Sequence, residues 1–398
     1  MLEFTSAMSG SVDGQRAVSE CFDIAFEGGE ADCDLIMFHT TVGHDFETLL
    51  ATIRKRCPDA KVAGCTCAGV IGKEGANETL KGLAMIFVKG PATDFHITHS
   101  DNIRGENSRA EAERMGHELE AALGKDVHTV YLLASGIDIA ADQAIGGLEA
   151  ALGKDVRVIG GTSSDNMQAQ STFQFFGEQV FERGAVAVGI ADPTLELVQG
   201  AHHGSVPVGR PFEVTRSEGN RVYELEGKPG WPVLMEALGQ PEDSHPGPMI
   251  PIAGVGVEVT GEQRDANDNP HILRVIAKTE ADGSFYLPVD VPEGTKLTLM
   301  ERDESLIFSG LEGLIGRLRE QTGDRTPVAV LHTDCAARGR FLFGRVMKDE
   351  IVARMQHPLT GGKPVPWLGM YGFGEFTELA GHNEFHNYTT SLYCLMRK

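Results

Sequence analysis

The chain reads as an α/β protein of repeated β-α-β-β units that form mixed sheets, with antiparallel hairpins in the connecting region and two domains. Three observations predict this. Apolar runs alternate with stretches of helical periodicity, the same order of elements occurs three times, and glycine, at 48 of 398 residues, falls repeatedly just after apolar runs, where tight turns close short strands.

The first unit opens with "DLIMFHT" at 34–40, an apolar run ending in polar residues. A helix follows from Asp45 to Arg56, where Phe46, Leu49, Leu50 and Ile53 recur at spacings of three and four. "KVAGCTCAGVIG" is a second strand broken at Gly64, and "LKGLAMIFV" a third. In the second unit "TVYLLASGID" is the first strand, Asp138–Leu152 the helix, "VRVIGGTSSDN" the glycine-broken strand with Gly160 in the place of Gly64, and "GAVAVGI" the third strand. The third unit is looser: "PVAVLHTDCAARG", a helix near Val346–Arg354, "WLGMYGFGEF" and "FHNYTTSLYCLM". The phrase "HT" closes the first strand in both the first and the third unit. "LEAALGKDV" occurs at 119–127 and again at 148–156, each time as a helix stopped by a glycine, Gly124 or Gly153, before a strand.

Between the second and third units the texture changes. "PFEVTRSEGNRVYELEGKPG" alternates around Gly219-Asn220 as a hairpin does. A short helix over Trp231–Gln240 leads into the proline-rich "PEDSHPGPMIP", and antiparallel strands then turn at Asp282-Gly283 and Glu293-Gly294. The domain boundary is set at 228, giving an amino-terminal domain over 1–228 with two units, and a carboxy-terminal domain over 229–398 with a β-meander and the third unit.

A net charge of −22 repels phosphate backbones and anionic lipid heads, which argues against nucleic-acid and membrane partners. Seven scattered cysteines, a start without a basic, apolar leader and no long apolar run point to reduced thiols and a cytoplasmic protein. Cys65 and Cys67 are taken to face opposite sides of a strand and so to be poorly placed to bridge.

No phosphate-binding glycine motif joins a strand to a helix, so ATP and NAD chemistry find no support. Cys65-Thr66-Cys67 lacks a second ligand pair for zinc, and its counterpart in the second unit is Gly161-Thr162-Ser163. Cys335 has Arg338 and His332 nearby and is a candidate nucleophile. A ligand clamp uses more of the residues. Arg338 suits a carboxylate, Glu375 a cation, and Asn387 both donates and accepts, a set fitted to an amino-acid-like zwitterion. Asp334, Cys335 and His332 share its loop, with Thr66, Cys67 and Ser163 on an opposite wall. The clamp requires Arg338 and Glu375 to face one solvent-reachable hollow.

In their order, "VAGCTCAGVI", "VIGGTSSDN", "FQFFGEQVFERGAVAVGI" and "VTRSEGNRVYELEGKP", followed by "DCAARGRFLFG", "GMYGFGEF" and "FHNYTTSLY", resemble the FIST N and FIST C domains of the FIST family of intracellular signal-transduction proteins. The resemblance implies a sensory module rather than an enzyme, binding a small ligand such as an amino acid and signalling to a separate protein such as a histidine kinase. It also implies an alternative, a haem-based nitric oxide sensor, for which His202 or His203 in "HHGSVPVG" is the ligand considered. A thiol enzyme using Cys335 is the second alternative.

Overall fold

The computed structural model describes residues 1–250, 253–266 and 269–398; Pro251, the last residue of the proline-rich stretch, lies outside them. The fold is mixed α/β, with four sheets among the described residues. Three sheets are built alike, and each unit is richer than β-α-β-β. A strand and a helix precede the part that sequence periodicity shows. In the first unit these are Glu3–Ser9 and Gly14–Ala25, and in the second Phe95–Ser100 and Ser108–Leu123. The third unit begins earlier than expected, with strand Leu195–His202, and is then interrupted by the whole fourth sheet before resuming at helix Glu304–Thr322.

The order within each of the three sheets is the same. In the first it runs Glu3–Ser9, Leu83–Lys89, Leu35–Thr41, Lys61–Cys67, and the last two of these are parallel. The outer two positions are filled from elsewhere. Hairpin 173–182, a loop of the second unit, pairs with Lys61–Cys67. Hairpin 374–386 of the third unit pairs with the second unit's Arg157–Thr162. Hairpin 70–77 of the first unit pairs with the third unit's Trp367–Gly372. The exchange closes a ring.

One core fills the centre of that ring, with Cys65 from the first unit, Tyr131 from the second, and Leu331 and Tyr393 from the third. His39 lies there too, fully buried, with Nε2 2.8 Å from the Tyr131 hydroxyl; burial drives its pKa down to about 3, so it is a neutral core residue. Helices cover the outer face of each sheet, with their own apolar clusters. Asp13, Asp45 and Asp303 cap three of these helices by accepting the amides of Arg16, Thr48 and Leu306.

The glycine break has a steric cause. Gly64, Gly160 and Gly369 stand opposite Phe38, Leu132 and His332 across the parallel pair. A Cβ on them would lie 2.4, 2.4 and 2.8 Å from the carbonyl oxygens of those partners. The "HT" echo is offset by one residue in this register: Phe38, not His39, takes the place of His332. Side chains alternate along a strand, so His39 points to the central core while His332 packs outward against Trp367. The same alternation corrects the reading of Cys65 and Cys67. Two apart means one face, and both lie in the central core. The repeated "LEAALGKDV" ends its helices as expected, at Gly124 and Gly153 with φ of +75° and +89°.

Candidate functional site

A cavity of about 550 Å³ opens where the second unit, the inserted sheet and the third unit meet. Its walls are loop 136–139 after strand Thr129–Ala134, loop residues Met167 and Ala169, Val275, Tyr286 and Leu287 of the inserted region, and Phe373, Phe385 and Tyr388. Most of this lining is apolar or aromatic. Cys335, Thr162 and Asn387 are its inner polar groups, and Asp138 and Lys278 its charged ones. Both charges have partners: Asp138 lies 3.5 Å from Arg183, and Lys278 2.7 Å from Glu280.

Backbone strain gathers here. Eight non-glycine residues among those described have positive φ, and Asp138, Met167, Ala169 and Tyr388, at +69°, +70°, +51° and +57°, all line this cavity. Each such residue costs about 1–3 kcal/mol and persists only where its surroundings hold it, most often at binding sites.

The sequence-predicted residues divide. Cys335 and Asn387 line the cavity, but Arg338 and Glu375 do not. The Arg338 side chain, 3% exposed, donates from Nε to Asp334 Oδ1 at 2.8 Å and from Nη1 to the His203 carbonyl at 2.9 Å. Its fork is thus turned to the end of strand Ala329–Cys335 and to the His203 carbonyl, because a buried guanidinium needs a carboxylate at hand. Glu375 is fully buried, accepts the Thr389 amide at 3.3 Å and lies against the Cys335 thiol. Burial, reinforced by Asp334, raises its pKa well above the usual range. The expected clamp, with the two charges facing one hollow, is not what the loops form.

Asn387 is spent on structure, its amide donating to the Phe373 carbonyl and its oxygen accepting the Val275 amide. It thereby pins two walls of the cavity together. Burial and the neighbouring Glu375 push the Cys335 thiol up, away from the thiolate that nucleophilic attack needs. His332 donates to or accepts from Thr390 at 2.9 Å, and burial lowers its pKa to about 3. Thr66 accepts the Phe173 amide and Ser163 accepts from Gln174, so both anchor the exchanged hairpin, and Cys67 is in the core. His202 and His203 are tied as well: their Nε2 atoms bond the carbonyls of Leu306 and His271, and His203 Nδ1 accepts the Ser205 amide. These bonds occupy the nitrogens that a haem iron would require.

The aromatic and aliphatic lining escaped sequence reasoning because such residues read as core. Tyr388, directly after Asn387, was the nearest signal.

Glu78 of the first unit holds the segment after Arg338, accepting the Arg340 amide at 2.6 Å. Burial, opposed by Arg340, pushes its carboxyl from 4.5 up to about 7. The folded chain therefore keeps this proton where the unfolded chain has lost it. The associated stability is complete below the unfolded value and is lost as pH rises through the folded one. Glu78→Gln is expected to gain on wild type by up to on the order of 3 kcal/mol at alkaline pH, the gap closing on acidification. Urea unfolding at both ends of this window checks it; a gap that does not move with pH refutes it.

Comparison with known proteins decides the family. Residues 34–228 match the FIST N domain and residues 232–378 the FIST C domain. The chain belongs to the FIST family. FIST domains are signal-transduction sensory domains. Among relatives of this FIST protein, the Uncharacterized protein Rv0628c of Mycobacterium tuberculosis (strain ATCC 25618 / H37Rv) is 25% identical over 393 residues, 97% of each chain. The Uncharacterized protein Mb0898c of Mycobacterium bovis is 26% identical over 239 residues, 59% of each. Among solved structures, a cyanuric acid hydrolase from A. caulinodans is similar at a TM-score of 0.30 and 12% identity, over 50% of this chain and 72% of that one. No helix among the described residues is long and apolar enough to cross a membrane.

Proposed function

We propose that this FIST protein is a cytoplasmic sensor whose cavity of about 550 Å³ receives a small, largely apolar metabolite and whose occupancy is read by a separate signalling protein. The observation that carries this is the concentration of positive-φ residues on the walls of one cavity. A zwitterionic amino acid is the poorer fit, since Arg338 and Glu375 are turned away and the charges that do line the cavity already have partners. A flat aromatic compound matches Phe373, Phe385 and Tyr286 better. The walls come from both FIST domains and the inserted sheet, so a ligand touching all of them binds one relative arrangement better than another. That difference in affinity is what a sensor needs.

The test is thermal unfolding with a panel of small flat aromatic probes, namely indole, benzoate and nicotinamide, on wild type and Ile137→Trp. Ile137 is half-buried at the cavity, so tryptophan there fills space without rebuilding the core. A binder at a hundred times its Kd stabilises wild type by about 2.7 kcal/mol and leaves Ile137→Trp unmoved. Equal shifts in the two proteins, or none in either, would sink the reading.

A further inference from the structure

A second cleft, of about 250 Å³, lies on the seam between the FIST N turn 73–74 and the FIST C segment 356–367. Two of its lining residues carry a polar group that is buried and without a hydrogen-bond partner among the described residues: the indole N–H of Trp367 and the carboxamide oxygen of Gln356. These residues are 1% and 4% exposed. The orientation of the Gln356 amide follows from its other end, which donates to the Gly72 carbonyl at 2.7 Å and leaves the oxygen as the unused acceptor. Gln356 also ends a π-helical turn, Val352–Gln356, a distortion that recurs at functional sites. A buried donor and a buried acceptor left unpaired on residues that line one cleft are costly to a fold unless something completes them.

The rim supplies the sign of the charge. Lys73, Lys363 and His357 line the cleft against one carboxylate, Glu74. Lys73 lies 3.8 Å from Glu74, and Lys363 donates to the Thr326 hydroxyl at 2.9 Å. The surplus favours an anion on a chain whose net charge is −22. An ammonium beside two lysines would be repelled, so the donor that Gln356 awaits is better an uncharged hydroxyl. A cleft of about 250 Å³ is ample for a small organic acid.

We propose that this cleft is a second binding site, for a small 2-hydroxy carboxylate. Its carboxylate accepts from the Trp367 indole and draws on the two lysines, and its hydroxyl donates to the Gln356 oxygen. The site is separate from the larger cavity, and its reporter does not depend on occupancy there.

The chain has two tryptophans, so Trp231→Phe leaves Trp367 as the sole indole emitter. Titration with sodium L-lactate is expected to give a saturable change in emission. Propionate, the same acid without the hydroxyl, should need about a ten-fold higher concentration, as should lactate on the added variant Lys363→Glu. If Trp231→Phe does not fold, wild type labelled with 5-fluorotryptophan gives the same reading as a fluorine NMR shift, assigned with Trp367→Phe. No saturable response, meaning that only water completes these groups, overturns the proposal. So does a response in which propionate equals lactate, or one that Lys363→Glu leaves unchanged.

Discussion

Arg338→Ala will lose about 3–5 kcal/mol of stability, because it strands a buried carboxylate. Asp334 is 4% exposed, and its Oδ1 is held by the Arg338 guanidinium at 2.8 Å. Even with that partner, burial lifts its pKa above the ordinary carboxylate range. Without it, Asp334 must take up a proton or drag water inside. The variant also removes the bond that Arg338 donates to the His203 carbonyl at 2.9 Å. Urea unfolding measures the loss, and Asp334→Asn combined with Arg338→Ala should recover part of it by removing the stranded charge. A loss below about 1 kcal/mol would place the pair among weak surface bridges and contradict its burial.

Gly160→Ala should be comparably damaging, at about 3 kcal/mol or more, for two independent reasons. Its φ is +111°, and its Cβ would sit 2.4 Å from the Leu132 carbonyl oxygen. Neither is relieved by moving a side chain, since both belong to the backbone of a parallel pair in the middle of a sheet. Thermal unfolding gives the effect. Gly153→Ala is the control, with a φ of +89° and open space around it, so it should bear the dihedral cost alone.

The repeat was legible because each copy spells its inner strands as apolar runs with a glycine at the same point, and that glycine has one steric cause in all three. The outer strand of each copy was not. Glu3–Ser9 and Phe95–Ser100 mix buried and half-exposed positions, and Leu195–His202 is cut off from its unit by the inserted sheet, a separation that no local pattern reveals. Cys335 and Asn387 were found at the cavity through their polarity. Arg338 and Glu375 were chosen on the same ground, yet a sequence does not tell a charge that awaits a ligand from one that has a neighbour. For Arg338 the neighbour is Asp334, four positions back at the end of strand Ala329–Cys335. The aromatic walls were invisible for the opposite reason, since Phe385 and Tyr388 obey the rule that apolar and aromatic residues are buried, and Phe373 is partly buried beside them.

The hairpin exchange gives the two family domains a dependence that their tidy succession along the chain conceals. Cut between 228 and 232, the amino-terminal piece would surrender ribbon 374–386, baring the flank of Arg157–Thr162, while its own ribbon 70–77 would be left with nothing to lean on. Raw strand flanks seek other chains. The three units are therefore better regarded as staves of one barrel than FIST N and FIST C are as beads on a string, and pressure on any stave is felt by the other two.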